Sequence, residues 1–480
     1  MENIKNFKYD KTEIIEMQRV ENGVFTDDGG YTYDNLPCAY RVRLKTCLNS
    51  KSIIINEIWL PDNWNGIFLG VGNGGMAGDI AYWMMMDYVK EGYVVANSDL
   101  GTSGGRERGI NNPEVWKDFG WRATHIMTDI AKSLLKEHYG EKEKFSYFYG
   151  LSTGGEQSLS EAQRFPDDYD GIIAGVPANN RIFLHTYFLW NYVHLYSKDG
   201  EGKFSDEEIN TITACATKYF QVHGDGEKGD NFISYPYINE STVDDFISYI
   251  RNENPYFTDT QLEALKAVYK GPSNPKTGEQ IYNGMPIGSE IYGCGISECQ
   301  GEESPFYYPF IWAFGKDYNP FNFDFDEDMD KISDLLSGDM NANNANLSEF
   351  YKNGGKLIAF SGSADPCVPY PDAMKYYNRV VKKMGGYDKT SEFFRFFLCP
   401  GKDHGLTGRG TNAHWGSMEN KEGLLDVLRR WRETGEAPEY IVSARVEGER
   451  TVFARKTYPY KGDMKEGKEF PVSCSEKYFE

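Results

Sequence analysis

Residues 145–165 read FSYFYGLSTGGEQSLSEAQRF, and the order of residue types in this stretch decides the fold. Phe145 to Tyr149 is an apolar, aromatic run of strand composition. Gly150-Leu151-Ser152-Thr153-Gly154-Gly155 then turns the chain sharply, and Glu156 to Arg164 has helical composition with no proline. A strand, a G-x-S-x-G turn and a helix place a serine where backbone crowds backbone, and the glycines are there because a Cβ would clash. The serine is expected in a strained conformation, its hydroxyl exposed above a sheet at the positive end of the following helix. A glycine-rich loop with an incidental serine is the plainer reading of the pentapeptide alone, so its flanks carry the argument.

Working outward, Ala39 onward gives YRVRLK and SIIINEIWLP, both strand-like in alternation or β-branching. Ile67 to Val71 is a short buried-looking strand that runs into Gly72-Asn73-Gly74-Gly75-Met76-Ala77-Gly78. Such a loop is where a backbone N–H for a developing oxyanion is expected. A phosphate loop is excluded by spacing, since neither G-x-x-x-x-G-K-[ST] nor a clean G-x-G-x-x-G is present; a structural loop without catalytic role remains the alternative. YVVAN (93–97) is another strand, and Ile126, Ile130, Leu134 and Leu135 form the stripe of a helix over Trp121 to His138. Alternating β and α elements imply a parallel, doubly wound sheet. The alternation continues through the strand Tyr169 to Ala178 and stops at Asn179. Up to about Asn346 come an aromatic stretch, FLHTYFLWNYVHLY, polar turns and an acidic run, DFDEDMD. It resumes at Gly355 with KLIAF, a loop through Asp365, a helix, the strand EFFRFFLCP, a loop through His404 and the closing helix KEGLLDVLRRWRETG. The fold class expected is α/β, an α/β-hydrolase with a mostly parallel sheet. Residues 1–178 and 347–480 form its catalytic domain and 179–346 an inserted lid, while Met1 to Asp34, polar and turn-rich, reads as a surface extension.

Length agrees with a main domain plus a large insertion, since 480 residues exceed one compact layer. Lys+Arg 51 against Asp+Glu 72 leaves a net charge of −21, a field that repels nucleic acid and anionic membrane and argues against either as partner. No apolar run is long enough to span a bilayer. The first twenty residues lack the apolar core of a signal peptide, so the chain as written is expected in the cytoplasm, or outside the cell where a leader has been removed. Eight cysteines form neither a dense framework nor a paired C-x-x-C zinc pattern. Cys294 and Cys299 are close enough for a local disulfide, and two free thiols are the equal alternative.

Ser152, Asp365 and His404 thus fall at the carboxyl ends of three expected strands, where α/β sheets place their sites, in the chain order this fold uses. Ser152 would attack a carbonyl, His404 take and return its proton, and Asp365 orient the imidazole. The N–H groups of Thr153 and Gly75 would hold the oxyanion. Among the other histidines only His414, ten residues past His404, competes. Asp99 follows a strand but precedes the serine. No zinc-binding H-E-x-x-H pattern appears, so metal-assisted hydrolysis is not expected and no cofactor is required.

Four ordered blocks resemble the tannase and feruloyl esterase family, which also contains the hydrolase of mono(2-hydroxyethyl) terephthalate. NWNGIFLGVGNGGMAG resembles its oxyanion loop, and YGLSTGGEQSLSEAQRFPDDYDGIIAGVPA its nucleophile block. NGGKLIAFSGSADPCVP resembles the aspartate block, and PGKDHG followed by WRETGEAPE the histidine block. TDTQLEALKAVYKGP and the stretch Gly278 to Gly288 are similar to its lid. The resemblance implies Ser152, Asp365 and His404 as the triad, and a lid shaping an aromatic acyl pocket. Two departures stand out. The family usually has a cysteine before the serine and another after the histidine, joined beneath the triad; Leu151 and Gly405 occupy those positions here. The two loops are then expected to be held by packing alone, and the loss fits a reducing setting. The family's lid often carries a calcium loop; Asp225 and Asp230 are the nearest oxygen donors, in a stretch that otherwise reads as a solvated turn. The function implied is serine ester hydrolysis releasing hydroxycinnamic acids from a small aromatic ester or feruloylated saccharide. The alternatives are galloyl esters, a terephthalate half-ester, or a scaffold that has lost its chemistry and only binds. Oligomeric state is not legible.

Overall fold

The computed structural model describes residues 2–223, 229–235, 240–417, 421–461 and 477–478. Its chain divides into two units. The first comprises Met1–Asn179 with Ile311–Lys316 and Leu336–Leu357; the second comprises Asn180–Phe310, Asp317–Leu335 and Ile358–Glu480.

The first unit is built on strands β1 (Thr12–Val20), β4 (Ala39–Asn49), β5 (Ser52–Pro61), β6 (Ile67–Val71), β7 (Val94–Ser98), β8 (Phe145–Leu151) and β9 (Gly171–Gly175), with a small hairpin, β2 (Phe25–Thr26) and β3 (Thr32–Tyr33). The second holds most of β10 (Lys356–Gly362), from Ile358 on, then β11 (Phe394–Cys399), β12 (Ala413–Trp415), β13 (Ile441–Glu447), β14 (Arg450–Thr457) and β15 (Lys477–Tyr478). Within the first unit the strands of the main sheet run in the order β1-β4-β5-β7-β6-β8-β9, and in the second β10 neighbours β11. β1, β4, β5 and β7 pair antiparallel, whereas β7, β6, β8 and β9 pair parallel. Every residue of β6, β7 and β9 is buried, as expected of parallel strands covered on both faces.

The chain leaves β6 to one side for β7 and returns to the other side for β8. That reversal is the topological switch at which α/β sheets bind ligands, outside the carboxyl ends of the strands. Val71 stands opposite Tyr149 in the parallel β6–β8 pair, so the Gly72 loop and the Ser152 turn emerge side by side.

The N-terminal residues correct the expectation of a surface extension. Thr12–Val20 is the edge strand of the sheet, in antiparallel register with β4 from Thr12 opposite Thr46 to Val20 opposite Ala39. In the second unit the aromatic stretch is one helix, Arg181–Gly200, followed by helices Asp206–His223, Glu240–Glu253 and Asp259–Lys270. The last begins with a capping box between Thr258 and Gln261. Strands β12 to β15 form a separate antiparallel sheet. Among the described residues no helix is long and apolar enough to cross a membrane.

Candidate active site

The serine turn is assembled from close backbone contacts. Ser152 has φ 60° and ψ −115° and caps the helix Thr153–Arg164. Its N–H donates to the Gly175 carbonyl at 3.0 Å, and its carbonyl accepts from Ala178 N at 3.1 Å and Glu156 N at 3.1 Å. These three bonds hold a conformation that side chains seldom adopt. A Cβ on Gly150 would overlap the Gly154 carbonyl, and one on Gly155 would lie 2.5 Å from Gly175 O and 2.7 Å from Pro177 Cα. A Cβ on Gly72 would strike Gly154 Cα, so the two loops touch glycine to glycine.

Polar bonds add to that contact. Gly154 N donates to Asn73 O at 2.8 Å, and Asn73 N donates to Gln157 Oε1 at 2.9 Å. The Thr153 hydroxyl donates to Gly75 O at 2.5 Å, so the structure brings together the two residues expected to furnish the oxyanion donors. Asn73 Nδ2 in turn donates to Ser98 O at 2.9 Å, and Asn97 Nδ2 to Val71 O at 2.7 Å, fixing the loop to the ends of β6 and β7. Thr153 is the first residue of its helix, where backbone N–H groups have no partner within the helix and carry the positive end of its dipole.

In the second unit Asp365 is fully buried. Its Oδ1 accepts from Cys367 N at 2.8 Å and Val368 N at 2.9 Å, leaving Oδ2 for His404 Nδ1 at 2.8 Å. That bond puts the imidazole proton on Nδ1 and leaves Nε2 as the basic nitrogen. His414 has a different setting: its ring lies 5.0 Å from that of Phe360, and neither ring nitrogen has a partner among the described residues. Burial, reinforced by the Lys402 charge, lowers its pKa to about 3. It is a neutral packing residue.

The expectation that packing alone braces these loops is replaced by a hydrogen-bonded frame. Lys402 Nζ donates to the carbonyls of Asp403 and Gly405, each at 3.1 Å. Asp403 Oδ2 accepts from Gly408 N at 2.9 Å. Ser363 Oγ receives Gly401 N at 2.7 Å and donates to Ser234 O at 2.5 Å, tying the aspartate loop to the histidine loop. Beneath them Arg455, buried between the rings of Phe232 and Phe453, reaches Ser234 Oγ at 3.1 Å and both oxygens of Asp230 at 2.7 and 2.6 Å. Asp230 is therefore a buried ion-pair partner and not the solvated residue expected there; Asp225, the other weak calcium candidate, lies outside the described residues. Cys294 and Cys299 carry free thiols, Cys299 Sγ donating to the Cys294 carbonyl at 3.4 Å. PGKDHG displays Lys402 and Asp403 beside the histidine, but no local signal marks Ser363 or Arg455.

The family model for tannase and feruloyl esterase matches residues 39–470. The chain belongs to the tannase and feruloyl esterase family. This esterase is 31% identical over 431 residues to a protein of Aspergillus flavus described as a probable feruloyl esterase B-2, covering 84% of this chain and 80% of that one. Its structure is similar to the crystal structure of feruloyl esterase B from Aspergillus oryzae, with a TM-score of 0.83 at 25% identity over 96% of this chain and 95% of the other. The fold is shared with tannin acyl hydrolase from Aspergillus niger, TM-score 0.72 at 18% identity, covering 96% and 93%. The family establishes an α/β-hydrolase and a carboxylic ester hydrolase.

Proposed function

We propose that the esterase cleaves esters of hydroxycinnamic acids through an acyl-enzyme, with Ser152 as nucleophile, His404 as general base and Asp365 as its orienting partner. The observation that carries the reading is the Asp365 Oδ2–His404 Nδ1 bond, because it presents Nε2 in the tautomer that can accept a serine proton. Ser152 Oγ attacks the ester carbonyl as His404 takes its proton. The carbonyl oxygen becomes an oxyanion, stabilised by the N–H groups of Thr153 and Gly75; one such donor contributes about 3–4 kcal/mol. The protonated imidazole gives its proton to the departing alcohol, and water repeats the cycle on the acyl-enzyme. The helical segment 179–346 would act as a lid that shapes an aromatic acyl pocket. Feruloyl specificity is supported by the names of the relatives matched at 25–31% identity, and the natural substrate would be a feruloylated saccharide or another small plant ester.

The test is a panel of methyl ferulate, methyl caffeate, methyl gallate and chlorogenic acid. The hydroxycinnamates should be cleaved, with Ser152→Ala losing about four or more orders of magnitude in kcat at unchanged Tm. Turnover of methyl gallate alone would reverse the substrate assignment to a tannase. Undiminished turnover by Ser152→Ala would refute the mechanism.

A further inference from the structure

Toward the far end of the elbow helix from Ser152, three side chains from separate parts of the first unit converge. His125 comes from the helix Ala123–Tyr139, Glu161 from the last turn of Thr153–Arg164, and Asp168 from the loop leading into β9. One donor atom from each lies within 4.8 Å of the other two. His125 Nδ1 is 2.7 Å from Asp168 Oδ2, and its Nε2 is 3.7 Å from Asp129 Oδ2. The ring is held flat against Phe165, centroids 3.7 Å apart and planes 5° from parallel. The residue that does not fit an ordinary ion-pair cluster is Glu161. It is completely buried, and its carboxylate faces the Asp168 carboxyl group with no N–H or hydroxyl donor beside it among the described residues.

A buried carboxylate with no donor is costly, and here a second carboxylate faces it. The nearby cation, Lys132, is directed at the Asp168 carbonyl and, at 3.8 Å, at Glu143. One imidazole nitrogen and two carboxylate oxygens form a donor set for a small divalent cation. Calcium and magnesium favour sets of oxygen alone, whereas imidazole with carboxylates suits zinc and its neighbours. Bonds of about 2.0–2.2 Å would draw the donors together from their present span. Solvent has access from one side, since the His125 and Asp168 side chains are 28% and 12% exposed.

We propose that His125, Glu161 and Asp168 form a structural zinc site that fastens the elbow helix to the helix before it and the loop after it. Glu161 stands nine residues along the chain from Ser152, about 14 Å at helical rise, so the ion takes no part in ester cleavage. Its role is to hold the helix whose first turn carries the serine.

The experiment uses the full chain and zinc chloride. After metal stripping and dialysis against micromolar zinc, the protein should retain about one zinc per chain, and added zinc should raise Tm. Glu161→Gln, which matches the shape of the protonated acid, should keep its fold and basal ester turnover but lose both the bound zinc and the Tm rise; Asp168→Asn should do the same. Cobalt substituted for zinc should give visible absorption of a nitrogen–oxygen site in the native chain and not in Glu161→Gln. Failure of the native chain to retain zinc would overturn the proposal. So would equal retention by Glu161→Gln, which would place the ion elsewhere.

Discussion

Ser152 sits at φ 60°, a region that costs a non-glycine residue about 1–3 kcal/mol, and its neighbours meet that cost. Gly155→Ala would drive a Cβ to 2.5 Å from Gly175 O, the acceptor of the Ser152 N–H. Overpacking of this kind costs about 1–3 kcal/mol, and a displaced nucleophile should lose about a hundredfold in kcat. Gly74→Ala is the control, because nothing lies within 4 Å of its Cβ position; thermal scans should separate the two, and equal Tm values would refute the argument. His414 gives a pH prediction. Its folded pKa, about 3, lies below the unfolded value near 6.5. Stability from the neutral ring is therefore complete above pH 6.5 and is lost as pH falls toward 3, at up to about 1.4 kcal/mol per pH unit. His414→Phe should flatten the fall in Tm between pH 7 and 5; an unchanged slope would exclude the ring as a source of acid lability. At this scale the pentapeptide marked the turn that carries Ser152, and the contact of Gly72 with Gly154 was hidden because the two are distant in sequence. The buried partnerless state of His414 was equally hidden, since spacing alone made it a rival to His404.

The element scale explains where the linear reading fell short. Strands β6, β8, β10 and β11 were legible as apolar runs ending at glycine or chemistry-bearing residues. β1 was not, because an edge strand half in water has no clean alternation: TEIIEMQRV is fully buried only at Val20. The loops after β10 and β11 depend on Arg455 in β14, over fifty residues beyond His404. Removing one member of a buried pair strands the other charge, at a cost of about 3–5 kcal/mol. Arg455→Met should therefore lower Tm sharply and slow ester turnover by loosening the Ser234–Ser363–Gly401 chain, whereas adding Asp230→Leu should recover much of the stability. A double variant no more stable than Arg455→Met would show that the arginine acts through its ring contacts instead.

For the whole molecule, the four family blocks made the class readable, while the grouping of segments into units was not. Ile311–Lys316 and Leu336–Leu357 join the first unit from within a stretch whose remainder belongs to the second. Trp312 shows why: its indole N–H donates to Arg106 O at 2.6 Å, a partnership that no local pattern announces. The family's disulfide beneath the triad has no counterpart at Leu151 and Gly405, and every described cysteine is free. Hydrogen bonds donated by Lys402, Ser363 and Asn73 and accepted by Asp403 stand in those loops instead. Millimolar dithiothreitol should leave both ester turnover and Tm unchanged, and inactivation by the reductant would disprove this account.

The contact between Gly72 and Gly154 also bears on how the enzyme can diverge. A Cβ at Gly72 would meet Gly154 Cα at 2.4 Å and one at Gly154 would meet Gly72 Cα at 3.0 Å, so neither position changes freely, and a random library should return only strongly impaired clones at Gly72, Gly150 and Gly155. Exploration is confined to surfaces away from this seam. An engineer seeking a new acyl range should spend diversity on the proposed lid, residues 179–346, and leave the seam untouched.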